Sequence, residues 1–449
     1  MPQPSQIFPV ENPTQSHWLS DPHHLASYRS PETVPREIDI AIIGTGLAGV
    51  ATAYHMLKRS GDVKAPKIAL FDARQACSGA TGRNGGHIKI GMPSLKRFQE
   101  QLGSDKALEL FEWVADQRLE VKKAVDNEGI DCDMLVTRSY DVFFEQNHAQ
   151  TIKNWLFEQQ KKGLEWTTEI QWLDGPNLDR ITGTKGAHGA ISVPALSFWP
   201  YKFVMGLLER IVHLGGSLYT ETPVHSIENI STSATKLVTS RGICTAKKIV
   251  FATNGYSAGI LPQFHNVIVP VRGQAAHLVP NWGTHHGFHP VTTYNLFYDG
   301  TWVDYLNPRP DGMVVLGGGG RNFRKGSDDR NSSWWDTVDD SRLISPAVKL
   351  DFDKTMETYF RGWEKSEARV DMTWTGIMGS TKDALPHAGL VPGSDNQWIL
   401  AGFNGGGMAM IFTLAKAISG MVLHGETFEQ AGIPSMFKAT SERLEAMRF

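Results

Sequence analysis

The chain carries only three cysteines, Cys77, Cys132 and Cys244, too few and too far apart for a disulfide framework. None belongs to a C-x-x-C pair, so thiol relay chemistry is unsupported. No run of eighteen apolar residues occurs, which excludes a transmembrane helix of ordinary length. Neither sign of charge dominates: the formal net charge is −3 and basic residues are scattered, so no nucleic-acid partner is expected. Residues 1–36 are rich in Pro, Ser, His and Gln and lack the apolar stretch of a signal peptide. They read as an irregular extension, neither leader nor membrane anchor. Trp18-Leu19 is the apolar point of that extension and is expected to pack on the body. No G-x-S-x-G elbow is present. His285-His286-Gly287-Phe288-His289 lacks acidic or cysteine partners at ligand spacing, so it reads as a polar loop and no metal is expected. These absences suit a cytoplasmic, reduced compartment and leave the oligomeric state open.

What is present is concentrated between Glu37 and Gly91. Ile38, Ile40, Ile42 and Ile43 make an apolar strand leading into Gly44-Thr45-Gly46-Leu47-Ala48-Gly49, then into a helical segment from Val50 to Ser60. A second apolar strand, Ile68-Ala69-Leu70-Phe71, ends in Asp72. This is the βαβ dinucleotide fingerprint in its structural context. Gly44 permits the tight turn, Gly46 lets the backbone approach a pyrophosphate, and Gly49 lets helix pack on strand. The helix N-terminus, with Leu47 and Ala48, offers free N–H groups to the phosphates. Asp72 is placed to take the hydroxyls of an adenosine ribose.

After Ala73-Arg74 comes a small, polar, Gly-dense stretch running to His87. A loop of this length without structure is usually functional. It leaves the tip of a nucleotide-binding strand, where hydroxyls and backbone N–H groups can follow the ribityl chain and pyrophosphate of a flavin.

Ser78-Gly79-Ala80-Thr81-Gly82-Arg83-Asn84-Gly85-Gly86 resembles a signature of the D-amino-acid-oxidase-like FAD oxidoreductases, the superfamily of glycine oxidase and sarcosine oxidase. Gly129-Ile130-Asp131-Cys132-Asp133 resembles a segment of its γ-glutamylputrescine oxidoreductase branch. Phe251-Ala252-Thr253-Asn254-Gly255-Tyr256 resembles the strand returning to the flavin. Val271-Arg272-Gly273-Gln274 resembles the strand entering the substrate domain. Gly376 to Asp383, and Gly402-Phe403-Asn404-Gly405-Gly406-Gly407-Met408, resemble the two C-terminal flavin loops. The resemblance covers roughly residues 37 to 425. It implies FAD as cofactor, held by these segments together with Val224.

Helical periodicity predicts a helix over 104–127 with Ser104 as N-cap, and a second from Pro200 ended by Gly215-Gly216. Strands are predicted over 134–144, 186–193, 217–219, 224–227 and 248–252. The segment 267–318 is β-rich, and 414–423 is helical. Leu316-Gly317-Gly318-Gly319-Gly320-Arg321 lacks a third Gly at fingerprint spacing and a following helix, so it reads as a strand end and turn, leaving one dinucleotide site. The fold class is α/β: a Rossmann-type FAD-binding domain (37–95, 200–270, 366–440) and a discontinuous mixed-sheet α+β substrate domain (96–199, 271–365).

Carrying the resemblance over residue by residue, the cysteine that tethers FAD in sarcosine-oxidase-type relatives falls at Gly376. No cysteine lies between 245 and 449, so FAD is expected to be non-covalent; attachment at His87 is the remaining route. The carboxylate-binding arginine of glycine oxidase falls at Met378, and the corresponding lysine of sarcosine oxidase at Ala409. An unpaired buried carboxylate is costly. The substrate is therefore expected either to lack an α-carboxylate or to use another cation, Arg272 or Lys89. For Arg272 a salt bridge at the domain junction is an equal reading.

The superfamily's chemistry, oxidation of a C–N bond with hydride passing to flavin N5, requires a neutral amine and no strong acid–base residue. His87 and Lys89 are candidate cations for oxygen reactivity. Among Tyr294, Phe297, Tyr298, Trp302 and Tyr305, one or two are expected to face the flavin, with Tyr298 the candidate. The expected partners are a small-molecule amine and dioxygen. The alternatives are an amino-acid or cyclic imino-acid oxidase, a tailoring enzyme of secondary metabolism, and a non-catalytic flavin-binding protein.

Overall fold

The computed structural model describes residues 7–30, 33–59, 65–281, 289–324 and 333–449. The chain builds two large sheets. The first has eight strands. Its centre is Glu37–Ile43, parallel to Ile68–Phe71 on one side and to Gly242–Phe251 on the other. Ser217–Tyr219 continues it beyond Ile68–Phe71, and Gln397–Ala401 beyond Gly242–Phe251, both parallel. His387–Leu390 closes one edge antiparallel, and the hairpin Val224–Ser231/Ala234–Thr239 joins Gly242–Phe251. Residues 40–43, 68–71 and 249–251 of the central strands are buried on both faces and read as continuous apolar runs.

Helices Leu47–Arg59, Pro200–His213 and Ile411–His424 pack against one another on one face, bringing Val50, Leu207 and Ile418 into one core cluster. The chain leaves Glu37–Ile43 for neighbours on opposite sides, so a crevice opens at the C-terminal ends of these strands. In open α/β sheets that switch point is where ligands bind.

The second sheet is mixed and nine-stranded. Its order runs Arg369–Ser380, Val269–Val279, Val314–Gly317, Val303–Pro308, Thr293–Phe297, Leu135–Phe143, Gly189–Ser197 and His87–Ile88, with Gln171–Leu173 on Gly189–Ser197. Only Thr293–Phe297 with Leu135–Phe143 is parallel. Two of these strands lie across the division expected from sequence. His87–Ile88 and Arg369–Ser380 fell in segments 37–95 and 366–440, yet they pair into this sheet. The reason is register: Arg369–Ser380 pairs along the whole of Val269–Val279, from Val269 with Ser380 to Val279 with Arg369.

The long helix is Ser104–Glu128, with Gly103 and not Ser104 at its cap position; the Ser104 hydroxyl instead accepts from Gln99 Nε2 at 3.0 Å. Helices Met92–Leu102, Gln146–Lys161 and Pro346–Tyr359 were not read from the sequence. Val314–Gly317 ends in a turn with Gly318 and Gly319 at positive φ, as the sequence suggested. Of the histidine cluster, residues 285–288 lie outside the described residues; His289 Nε2 lies 3.2 Å from the Arg309 carbonyl oxygen. Among the described residues no helix is long and apolar enough to cross a membrane.

Candidate active site

A cavity of about 930 Å³ runs from the switch-point crevice to the nine-stranded sheet. Its first wall is the turn after Glu37–Ile43. Gly44 has φ +106°, and a Cβ there would stand 2.5 Å from the Ala252 carbonyl oxygen. A Cβ on Gly49 would overlap the Gly44 carbonyl oxygen, so glycine at 49 is demanded by helix–strand packing. At Gly46 a Cβ would lie 3.1 Å from Thr81 Oγ1, which also accepts from Leu47 N at 3.0 Å.

Asp72 closes the next strand. Its carboxylate accepts from Thr45 N at 2.8 Å, Thr45 Oγ1 at 2.5 Å and Arg74 N at 3.0 Å. Burial raises its pKa, while these hydrogen bonds pull it down. A carboxylate has about four lone-pair sites, so capacity for a further donor remains.

The Gly-rich stretch folds into the short 3-10 turn Ala80–Arg83. Asn84 Nδ2 donates to the Thr81 carbonyl at 2.8 Å and its Oδ1 accepts from Gly86 N at 2.7 Å. Arg83 Nε donates to the Ser78 carbonyl, and its Nη1 to the carbonyls of Thr14 and Thr375, each at 2.8 Å. Burial lowers its pKa to about 10. Arg83 is thus a tie between loop, sheet and N-terminal extension. Asp340, fully buried, sits 3.0 Å from Arg74 Nη1 and 3.8 Å from Arg83 Nε.

The far wall is the stretch from Phe403 through the turn Gly407–Ala409 to helix Ile411–His424. Gln117, fully buried on Ser104–Glu128, holds it. Its Nε2 donates to the Met408 carbonyl at 2.8 Å, and its Oε1 accepts from Thr413 N at 2.9 Å. Asn254 Oδ1 accepts from Gly402 N at 3.1 Å, and Asn404 Oδ1 from Thr381 N at 2.7 Å.

Most of the residues expected to hold the cofactor line this cavity, among them Ala73, Gly79, Gly85, Val224, Thr253, Gly376, Gly405 and Gly406. Gly49, Ser78, Gly86 and Gly255 do not. Gly86 supports the wall instead: Asn307 Nδ2 donates to the carbonyls of Gly85 and Gly86 at 2.8 and 3.0 Å. At Gly255 a Cβ would lie 2.7 Å from the Met378 carbonyl oxygen.

The four candidates for chemistry divide. His87 lines the cavity with Nδ1 buried and unpartnered, and burial together with Lys89 holds its pKa well below 6.5. Lys89 also lines it. Its Nζ donates to Ser139 Oγ at 2.6 Å and lies 3.9 Å from Asp141; burial lowers it to about 8 against the opposing pull of Asp141. Arg272 lines the cavity, but its guanidinium donates to the carbonyls of Asp339 and Ser333 at 2.7 Å each. Two of its nitrogens brace the backbone of 333–339, as the structural reading of this residue expects, while Nε is buried without a partner. Tyr298 is corrected. It lies outside the cavity lining, donates to Asp304 Oδ2 at 3.0 Å, and stacks between Phe144 and Arg321. The aromatics of the predicted set that line the cavity are Trp302 and Tyr305.

Sequence reasoning missed Gln117, Asn307, Asp340 and Thr14. Single polar residues in ordinary surroundings carry no pattern; burial marks Gln117, Asn307 and Asp340, and only its hydrogen bonds mark the half-buried Thr14. Thr45 stood inside the fingerprint and was the one legible signal.

The donor set fits FAD. Gly44 and Gly46 form a cradle that larger residues would fill, Asp72 keeps acceptor capacity, and the cavity continues to the N-terminal side of Ile411–His424. A curated relative, a probable oxidoreductase OrdL of Rhizobium meliloti (strain 1021), is 24% identical over 87% of this chain and 84% of its own. Glycine oxidase of Bacillus licheniformis is 23% identical over 92% of this chain and 99% of its own. The crystal structure of glycine oxidase from Geobacillus kaustophilus superposes with a TM-score of 0.71 at 19% identity, covering 91% of this chain and 99% of the other. The family profile DAO, FAD dependent oxidoreductase, matches residues 39–421, so the chain belongs to the DAO family of FAD-dependent oxidoreductases.

Proposed function

We propose that this chain oxidises a carbon–nitrogen bond of an amine whose reacting carbon bears no carboxylate, giving an imine that hydrolyses to an aldehyde, with dioxygen reduced to hydrogen peroxide. The observation that carries this reading is the lining of the cavity by Met378 and Ala409. These are the positions to which the sequence resemblance assigns the carboxylate-binding cations of glycine and sarcosine oxidase. A carboxylate facing two apolar side chains in a closed site has no partner, and its burial costs several kcal/mol (about 2–7 even for an unpaired neutral polar group). Arg272 supports the reading in part, because Nη1 and Nη2 of its guanidinium are engaged by backbone carbonyls.

When bound, FAD supplies the hydride acceptor. The residues that would hold it are the Gly44–Ala48 turn, Asp72, Thr81 and the Gly405–Met408 loop. It is held non-covalently in this reading: Cys77, Cys132 and Cys244 are buried, free and outside the cavity lining. The protein's own work is to bind the amine, exclude water and leave the amine neutral. His87, uncharged at neutral pH, adds no repelling cation to a substrate ammonium. Lys89, a buried cation of the cavity lining that also bonds Ser139 and lies 3.9 Å from Asp141, is the group this reading assigns to an anionic part of the substrate, such as a carboxylate several bonds from the reacting carbon. A γ-glutamylated diamine has that shape, in keeping with the resemblance of Gly129-Ile130-Asp131-Cys132-Asp133 to the γ-glutamylputrescine oxidoreductase branch.

A second reading, an amino-acid or cyclic imino-acid oxidase anchored at Lys89, is favoured by the likeness to glycine oxidase. Anaerobic mixing of the FAD-loaded protein with two substrate pools separates the readings. One pool holds amines without an α-carboxylate, including γ-glutamylated diamines; the other holds α-amino acids, including cyclic ones. Loss of the flavin's visible absorbance with the first pool alone is expected. Bleaching by the second pool alone would overturn the meaning given to Met378 and Ala409.

A further inference from the structure

The family match begins at residue 39, yet the chain before it is built into the cofactor site. Ile7, Phe8 and Pro9 line the cavity beside Asp72, Arg74 and Val224. Arg74 Nη1 donates to the Val10 carbonyl at 3.3 Å. A Cβ on Gly259 would stand 2.5 Å from the Ile7 carbonyl oxygen, so the extension lies directly on that turn. Farther along, Thr14 N donates to the Asp340 carbonyl at 2.7 Å, and Thr14 Oγ1 accepts from Thr375 N at 2.9 Å. Ser16 Oγ donates to the Gly82 carbonyl at 2.7 Å. Trp18, fully buried, donates from Nε1 to the Asn84 carbonyl at 2.6 Å.

We propose that the segment Ile7–Leu19 is a wall of the FAD site, closing over the nucleotide half of the cofactor and setting its rate of release. The segment contacts Arg74, two residues after the ribose acid, the Gly82–Asn84 loop and strand Arg369–Ser380. Ser16 and Trp18 hold backbone carbonyls of the loop, while the Arg74 and Arg83 side chains donate to the carbonyls of Val10 and Thr14, so the segment is tied to both the backbone and the side chains of those blocks. A ligand beneath it leaves only after the segment lifts, and the segment gains a surface to order on when the ligand is present. This inference rests on FAD binding and is independent of the substrate.

Two measurements test it. The first deletes residues 1–10 and leaves the anchors Thr14, Ser16 and Trp18 in place. FAD release into an excess of scavenging apoflavoprotein, followed by fluorescence, is expected to quicken by about tenfold or more, since affinity changes appear mainly in off-rates. Release within twofold of the full chain overturns the proposal. The second needs no variant. Chymotrypsin cleavage after Phe8, Trp18 or Leu19 is expected to be at least about fivefold slower in the FAD-loaded protein than in the apoprotein, because cleavage follows local opening. Equal rates in the two forms overturn it.

Discussion

Gly376 lies against Arg83: a Cβ built on it would stand 3.0 Å from Arg83 Cβ and 3.4 Å from Cδ. Position 376 is where the resemblance puts a flavin-tethering cysteine. Here the space is bordered by the aliphatic stem of Arg83, whose buried guanidinium ties the Gly-rich loop to Thr14 and Thr375. Gly376→Cys is therefore expected to give no covalent flavin and to cost about 1–3 kcal/mol from overpacking. Flavin fluorescence on a denaturing gel and urea unfolding check the two parts. A fluorescent protein band would mean that Arg83 yields readily.

Lys89 predicts a pH dependence of stability. Burial lowers its ammonium to about 8, from an ordinary lysine value of 10.5. Between those values the unfolded chain binds more protons than the folded one, so stability rises with pH. Relative to Lys89→Met, the FAD-free protein is expected to gain as pH rises from about 8 to about 10.5, by ~3 kcal/mol at most. Below pH 8 the difference is expected to be flat. Paired urea titrations across that range measure it; a difference that stays level throughout would refute the buried, poorly paired ammonium.

Gln117 is the clamp of the Met408 loop. Gln117→Leu leaves the Met408 carbonyl and Thr413 N–H without their side-chain partner. A loss of about 1–3 kcal/mol is expected, the cost of leaving buried polar groups unmade. FAD affinity is expected to fall as well, because the loop lines the cavity. Denaturant unfolding of the apoprotein and FAD titration separate the two effects.

Met378→Arg restores a guanidinium where the resemblance puts a carboxylate clamp. Relative to amines, kcat/KM for α-amino acids is expected to rise by at least about tenfold, since a charge-assisted pair contributes about 1.5–3 kcal/mol. An unchanged ratio would show that position 378 does not face the substrate's carboxyl group.

Much of this was legible in the sequence because strong local patterns enforce it. The run Ile38 to Gly49, and the Asp72 that ends the next strand, are dictated by backbone geometry that few residues satisfy, so pattern and structure coincide. The loop Ser78 to Gly86 was visible for the same reason. What stayed hidden depends on partners far away in sequence. Arg369 to Thr375 alternates polar and apolar residues as a strand does, yet the Gly-containing stretch from Gly376 reads as a loop until its pairing with Val269–Val279 is seen. For Arg272 the sequence left ligand and structural roles even, because the carbonyls of Ser333 and Asp339 that two of its nitrogens meet have no sequence signature. Tyr298 was one aromatic among five, and no periodicity told which of them would turn inward.

The cavity draws its walls from Ile7, Gly44, Arg83, Asn254, Met378 and Met408, contributed by both sheets and by both ends of the chain. A ligand spanning them works as a rivet through plates that the chain itself joins by packing and by a few buried hydrogen bonds, such as those of Arg83 and Gln117. A ligand that binds only the folded form stabilises it by about 2.7 kcal/mol at a hundred times its dissociation constant. The yellow colour of a preparation is therefore a gauge of intactness along the whole polypeptide. Damage at either end is expected to appear as bleaching during purification before any loss of helical signal.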